Sequence, residues 1–182
     1  MKQFLVVVDM QNDFVTDALG TKEAQQIIEK AAEKIRAFPG DIFVTLDTHS
    51  PDYLHTAEGK KLPVVHCVRG TKGWELHPAV AEALQGKAVT TVEKPSFGST
   101  ALPGIIESAA AGEDFSLVLI GLCTDICVIS NALVLKAFFP EKKISVDASC
   151  CAGVTPELHR AALMTMRSCQ IDVEGGDKEG DI

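Results

Sequence analysis

Ser116-Leu117-Val118-Leu119-Ile120-Gly121-Leu122-Cys123-Thr124-Asp125-Ile126-Cys127 is the stretch on which the fold turns. Residues 116–120 are apolar almost throughout, the mark of a strand buried on both faces, and Val128 to Phe139 carries a helical pattern halted by Pro140. A thiol therefore stands at a strand-to-helix junction. Unpaired backbone N–H groups and the positive end of the helix dipole both favour a thiolate there, which marks Cys127 as a nucleophile rather than a packing residue.

The same alternation extends in both directions. Phe4 to Val8 reads as the first strand, and Glu23 to Phe38 as a helix with apolar residues at Ala24, Ile27, Ile28, Ala31 and Ile35, ended by Pro39-Gly40. Ile42 to Leu46 predicts a second strand, Val64-Val65 a short third, Ala88 to Val92 a fourth, Ser116 to Ile120 the fifth and Ile144 to Val146 the sixth. Helices are expected at Pro78 to Leu84, at Ile105 to Ala111, after Cys127, and from Thr155-Pro156 to about Arg167, where Thr155 suits an N-cap and Pro156 the first helical position. Strands that are apolar on both faces and separated by amphipathic helices imply an α/β fold. It is a three-layer sandwich around a six-stranded, mostly parallel sheet with right-handed crossovers, in one domain spanning 1–182. The segment 174–182 has no apolar face and reads as a loose tail or an arm onto a neighbouring subunit.

With 182 residues, 46% of them hydrophobic, the chain can bury one full core. A net charge of −8 argues against nucleic acid or an anionic membrane as partner, since neither gains counterion release from such a surface. The apolar stretch before Asp9 is too short for a signal or membrane segment, so a cytoplasmic setting is expected. The six cysteines are read as reduced, with Cys150, Cys151 and Cys169 as plain buried thiols.

Ligands of open parallel sheets bind beyond the carboxyl ends of the strands, and the polar residues fall there. Asp9, Asn12, Asp13 and Phe14 follow the first strand; Asp47, His49 and His55 the second; His66 the third; Glu93, Lys94 and Phe97 the fourth; Cys123, Thr124, Asp125 and Cys127 the fifth. Two sets emerge. Asp9, Lys94 and Cys127 make a workable catalytic group: the ammonium lowers the thiol pKa, and the carboxylate holds the lysine, takes the thiol proton and hands it to a leaving amine. Asp47, His49, His55 and His66 suit one divalent ion, zinc or else iron or manganese, with open positions for water or substrate. His77 and His159 are read as structural.

Val8-Asp9-Met10-Gln11-Asn12-Asp13-Phe14, Glu93-Lys94-Pro95-Ser96-Phe97 and Gly121-Leu122-Cys123-Thr124-Asp125-Ile126-Cys127-Val128 resemble the three signature segments of the isochorismatase-like cysteine hydrolases, in order and along nearly the whole chain. Asp47-Thr48-His49, His55 and Pro63-Val64-Val65-His66-Cys67-Val68 are similar to the metal-binding segment of the nicotinamidase branch. The resemblance implies Asp9, Lys94 and Cys127 as the triad and Asp47, His49, His55 and His66 as metal ligands. It also implies a cis peptide at Leu122–Cys123, an oxyanion hole from the N–H groups of Cys123 and Cys127, and Phe14 and Leu122 beside the substrate. The implied activity is hydrolysis of nicotinamide to nicotinate and ammonia through a Cys127 thioester, with the pyridine nitrogen on the metal and water activated by Asp9 or the ion, in a homo-oligomer (dimer or tetramer). The chain departs from the branch at Leu62-Pro63, where a tryptophan often stands, and Trp74 is read as a packing or subunit-contact residue. Other readings stay open: a hydrolase of another small amide, ureide or carbamoyl compound, a binding protein with a structural zinc site, and a redox pair of Cys123 with Cys127.

Overall fold

A computed structural model describes residues 1–176 of the chain. Its strands are β1 (Lys2–Val8), β2 (Asp41–Asp47), β3 (Val89–Lys94), β4 (Phe115–Leu122), β5 (Lys143–Ala152) and β6 (Asp172–Glu174). The helices are α1 (Asn12–Val15), α2 (Lys22–Ala37), α3 (Pro78–Ala83), α4 (Leu102–Ala110), α5 (Ile129–Phe138) and α6 (Pro156–Ser168). All six strands are parallel, in the order β3-β2-β1-β4-β5-β6.

Side-chain alternation along each strand divides the core into two layers. Phe4, Val6 and Val8 of β1 join Leu117 and Leu119 of β4 under Leu102 and Ile106 of α4, Leu135 of α5 and Met166 of α6. Leu5 and Val7 face the other way, with Ile120 and Leu122, against Ala24, Ile28, Ala31 and Ile35 of α2 and Val80 of α3. Local signals start the helices where the sequence suggests. Thr21 accepts from the Ala24 N–H (3.0 Å), Thr155 from the Leu158 N–H (3.2 Å), and the His77 ring from the Ala79 N–H (3.4 Å), which makes His77 a cap.

The expected third strand is absent. Val64-Val65 lies in the loop between β2 and α3, and Val65 is exposed; both edges of β2 are taken by β1 and β3, and among the described residues this loop makes two isolated bridges, His49 with Val68 and Gln11 with Leu76. The sheet's sixth strand is instead β6, which ends at Glu174 inside the segment expected to be a tail; residues 177–182 lie outside the described residues. Cys169 is exposed rather than buried, because it caps the end of α6 beyond the helix's last buried residue, Met166; Cys150 and Cys151 are buried as expected. Among the described residues no helix is long and apolar enough to cross a membrane.

Strand order reverses between β1 and β4, which opens a crevice at their carboxyl ends. Gly121 makes the close approach possible: its φ is 123°, and a Cβ there would stand 2.1 Å from the Val8 carbonyl oxygen. Away from the crevice, Lys34 of α2 is clamped to Asp147 of β5 (Nζ–Oδ2 2.8 Å). Burial works against the Asp147 carboxylate, but Lys34 and Ser149 hold its pKa below the ordinary value. A carboxyl depressed in the folded state contributes stability that is present above its unfolded pKa and lost as pH falls through the folded one. Asp147→Asn is expected to cost about 1–2 kcal/mol at pH 7, with the gap from the parent closing below about pH 4, as measured by urea melts over a pH series.

Candidate active site

Four adjacent strand ends deliver the polar groups. Asp9 follows β1 with φ 47°, in the left-handed region that aspartate adopts more readily than most residues. Asp47 and Lys94, the last residues of β2 and β3, are partners in register. Cys127 sits in one π-helical turn, Thr124–Val128, between β4 and α5, and the Leu122–Cys123 peptide is cis. The structure brings Asp9, Lys94 and Cys127 together. The Lys94 Nζ is 2.6 Å from Asp9 Oδ2, 3.5 Å from Cys127 Sγ and 3.5 Å from Asp47 Oδ1, and it donates to the Ser96 carbonyl at 3.0 Å. Thr45 Oγ1 donates to the other Asp9 oxygen at 2.6 Å. All of these side chains are buried.

Burial and charge pull in opposite directions here. Burial alone would discharge Lys94, but Asp9, Cys127 and Asp47 outweigh it and hold the ammonium above its usual pKa. Burial pushes the Asp9 carboxyl up, and Asp47 adds to the push against the pull of Lys94. Burial and Asp9 also push the Cys127 thiol well up, and Lys94 does not overcome them. Burial, more than the neighbouring charges, is what works against the thiolate expected from the sequence. Asp9, which shares the Lys94 ammonium with Cys127, is the nearby carboxylate able to accept the thiol proton.

The metal-binding set is assembled in part. Donor atoms of Asp47, His49 and His66 lie within 4.8 Å of one another. The His49 Nε2 is 2.9 Å from Asp47 Oδ2 but not aligned for a hydrogen bond, so among the described residues it is a buried nitrogen without a hydrogen-bond partner. His66 Nδ1 lies 2.8 Å from the Val64 carbonyl, which assigns the proton to Nδ1 and frees Nε2 as a ligand. Orphaned nitrogen, imidazole and carboxylate together fit a borderline divalent ion.

His55 is not part of this set: its side chain is 86% exposed, beside Asp52. Tyr53–His55 is a 3₁₀ turn with Tyr53 fully buried against the His49 and His66 rings, and a residue two further on faces away. Glu58, which sequence reasoning passed over, stands nearby, with Oε1 3.9 Å from His49 Nε2 and 3.7 Å from His66 Nε2. The only available signal was its place in the same ligand-bearing loop.

These groups open into a cavity of about 230 Å³ whose wall includes Phe14, Leu62, His66, Phe97, Cys123 and Cys127. Phe14 and Cys123 are on this wall. Leu122 is not, because it shares the inward parity of Ile120 and is buried in the core beneath α2. Several polar residues turn out to be scaffold. Gln11 brackets the Asp47 peptide (Oε1 to N 2.8 Å, Nε2 to O 2.9 Å), and Asp13 accepts from the Cys67 N–H at 2.7 Å. Asn12 donates to the Lys72 carbonyl (2.8 Å), and the Trp74 indole donates to Thr48 (2.9 Å), which makes the tryptophan a packing residue. The His159 ring lies 2.8 Å from Thr124 Oγ1 and ties the π-turn to α6.

Residues 3–176 match the family model of the isochorismatase domain. The nicotinamidase/pyrazinamidase PncA of Bacillus subtilis is 28% identical and superposes with a TM-score of 0.82 over 96% of this chain and 100% of its own. The pyrazinamidase of Pyrococcus horikoshii, solved in complex with zinc, is 26% identical (TM-score 0.77; 95% and 98% of the two chains). The N-carbamoylsarcosine amidase of Thermoplasma acidophilum is 28% identical (TM-score 0.75; 99% of each chain).

Metal content of purified variants, measured by equilibrium dialysis and elemental analysis, tests the ligand set. His49→Ala and His66→Ala are each expected to weaken divalent-ion binding by at least roughly tenfold, whereas His55→Ala leaves it unchanged.

Proposed function

This chain belongs to the isochorismatase family, and from that premise we propose that it is a cysteine amidohydrolase converting nicotinamide to nicotinate and ammonia. The observation that carries the reading is the buried contact of Lys94 with Asp9 and Cys127 at the base of an apolar cavity, next to a carboxylate–imidazole cluster. The likeness to nicotinamidases of known structure supports the substrate class.

Asp9 takes the proton of the Cys127 thiol as sulfur attacks the carboxamide carbon, forming the C–S bond. The N–H groups of Cys123 and Cys127 receive the oxyanion. As the tetrahedral adduct collapses, the C–N bond breaks, and the proton on Asp9 passes to the leaving nitrogen to give ammonia and a thioester. Asp9 then deprotonates a water that attacks the same carbon. The C–S bond breaks, and the proton returns to sulfur as the acid product leaves. Lys94 holds Asp9 in place and keeps the negative charge of the base and the departing sulfur tolerable in a dry site. Asp47, His49 and His66, with Glu58 beside them, would hold a divalent ion, whose chemistry when bound is Lewis-acid attraction for a ring nitrogen. Phe14 and Phe97 would flank the ring.

A second reading, hydrolysis of an N-carbamoyl compound or another small amide or ureide, is favoured by the likeness to N-carbamoylsarcosine amidase. The cavity argues for the first. The surface of its wall is mostly apolar and, among the described residues, it includes no arginine to hold the carboxylate of a carbamoyl acid.

Ammonia release from metal-loaded protein is the direct test, across nicotinamide, pyrazinamide and a set of N-carbamoyl compounds. Turnover of the two ring amides is expected; failure on both, with turnover of a carbamoyl compound, would move the assignment to the second reading. Cys127→Ala should lower kcat by at least about 10³-fold without loss of fold.

A further inference from the structure

The loop Pro95 to Ser99 runs from the end of β3 to α4 along the rim of the cavity, and Phe97 supplies part of the wall. It is fastened at two points. At one, the Lys94 ammonium donates to the Ser96 carbonyl at 3.0 Å. At the other stands Asn131 of α5, whose side chain is fully buried. Its Oδ1 accepts from the Ser99 N–H (2.9 Å), and its Nδ2 donates both to the Phe97 carbonyl (3.1 Å) and to the carbonyl of Cys127 (2.8 Å). The loop lies directly on α5: a Cβ at Gly98 would come within 3.3 Å of the Ser130 carbonyl oxygen.

One buried amide thus bonds both the peptide of the sulfur-bearing residue and the backbone of the cavity wall. An aliphatic side chain would fill the same space without the desolvation cost of an amide, so the polar group is favoured here only through these three partners. We propose that Asn131 is a positioning residue that sets Cys127 against the Phe97 wall, so that the sulfur and the bound substrate share one rigid frame. The proposal rests on reading Cys127 as the nucleophile and deepens it.

Two variants separate its arms. Asn131→Thr keeps a hydroxyl able to donate to the carbonyl four residues back but offers nothing to Phe97; Asn131→Ala removes all three bonds. For the Thr variant, kcat is expected to stay within about threefold of the parent while KM rises several-fold. For the Ala variant, kcat should also fall, by roughly 10- to 100-fold, because small displacements of reacting groups cost that much. Alkylation of Cys127 by iodoacetamide, read by mass spectrometry at fixed pH, should slow by about tenfold in Asn131→Ala and hardly at all in Asn131→Thr. That readout needs no substrate. A parent protein inert towards every amide would sink the proposed function, yet Cys127 alkylation would still decide the role of Asn131. A folded Asn131→Ala with parental alkylation and kcat, whatever its Tm, overturns the proposal; if that variant does not fold, an unchanged KM in Asn131→Thr does so.

Discussion

A buried ammonium group is the constraint around which the rest of the site is arranged. Moving Lys94 out of water costs several kcal/mol, which only close opposite charges and hydrogen bonds can offset. Asp9 at 2.6 Å, Asp47 at 3.5 Å and the Ser96 carbonyl at 3.0 Å provide them. Those partners come from the ends of β1 and β2 and from the loop after β3, so the requirement to satisfy one lysine pins three adjacent strand ends in register. Cys127, from the far side of the β1–β4 crevice, completes the group at 3.5 Å. The sheet order β3-β2-β1-β4 is what makes this contact set reachable by side chains of ordinary length.

Asp47 serves two neighbours at once. One oxygen faces Lys94, and the other faces the two imidazoles. Burial raises the cost of its charge, but the rings and the ammonium together hold it ionised. The Asp9–Lys94–Cys127 group and the carboxylate–imidazole cluster are therefore one electrostatic unit. A change in charge on either side is felt on the other through a single carboxylate. The Gln11 amide, which bonds both the N–H and the C=O of Asp47, keeps this bridge from turning. It also explains why a glutamine is fully buried directly after the first strand.

The site's walls are ordered by packing rather than charge. Tyr53 stands behind both imidazoles, with ring centroids 4.7 Å from His49 and 4.9 Å from His66, and its hydroxyl donates to the Leu62 carbonyl at 2.9 Å. One aromatic residue thus fixes two candidate ligands and the segment carrying Leu62 of the cavity wall. The same turn that buries Tyr53 sends His55 outward, which is why four ligand-type residues close in number do not become four ligands in space.

The alternation of apolar runs with amphipathic helices determined the layered α/β class, because burial on both faces leaves a strand no other composition. It also determined that Asp9, Asp47, Lys94 and Cys127 would collect at one sheet edge, since each ends or follows a strand and parallel strands all end on the same side. Helix starts at Thr21, His77 and Thr155 were equally local, being set by side chains bonding N–H groups within the first turn. The sequence could not decide which strands are neighbours: Val64-Val65 has strand composition but pairs with no strand, although the outer edge of β3 is open, and Asp172–Glu174 has little strand character but pairs with β5. Nor could it decide which way a loop residue faces. Whether His55 or Glu58 meets His49, whether Leu122 lines the cavity or the core, and whether Lys94 reaches both Asp9 and Cys127 all depend on distances between residues far apart in number. Those distances exist only once the sheet has closed its order and the water around the lysine is gone.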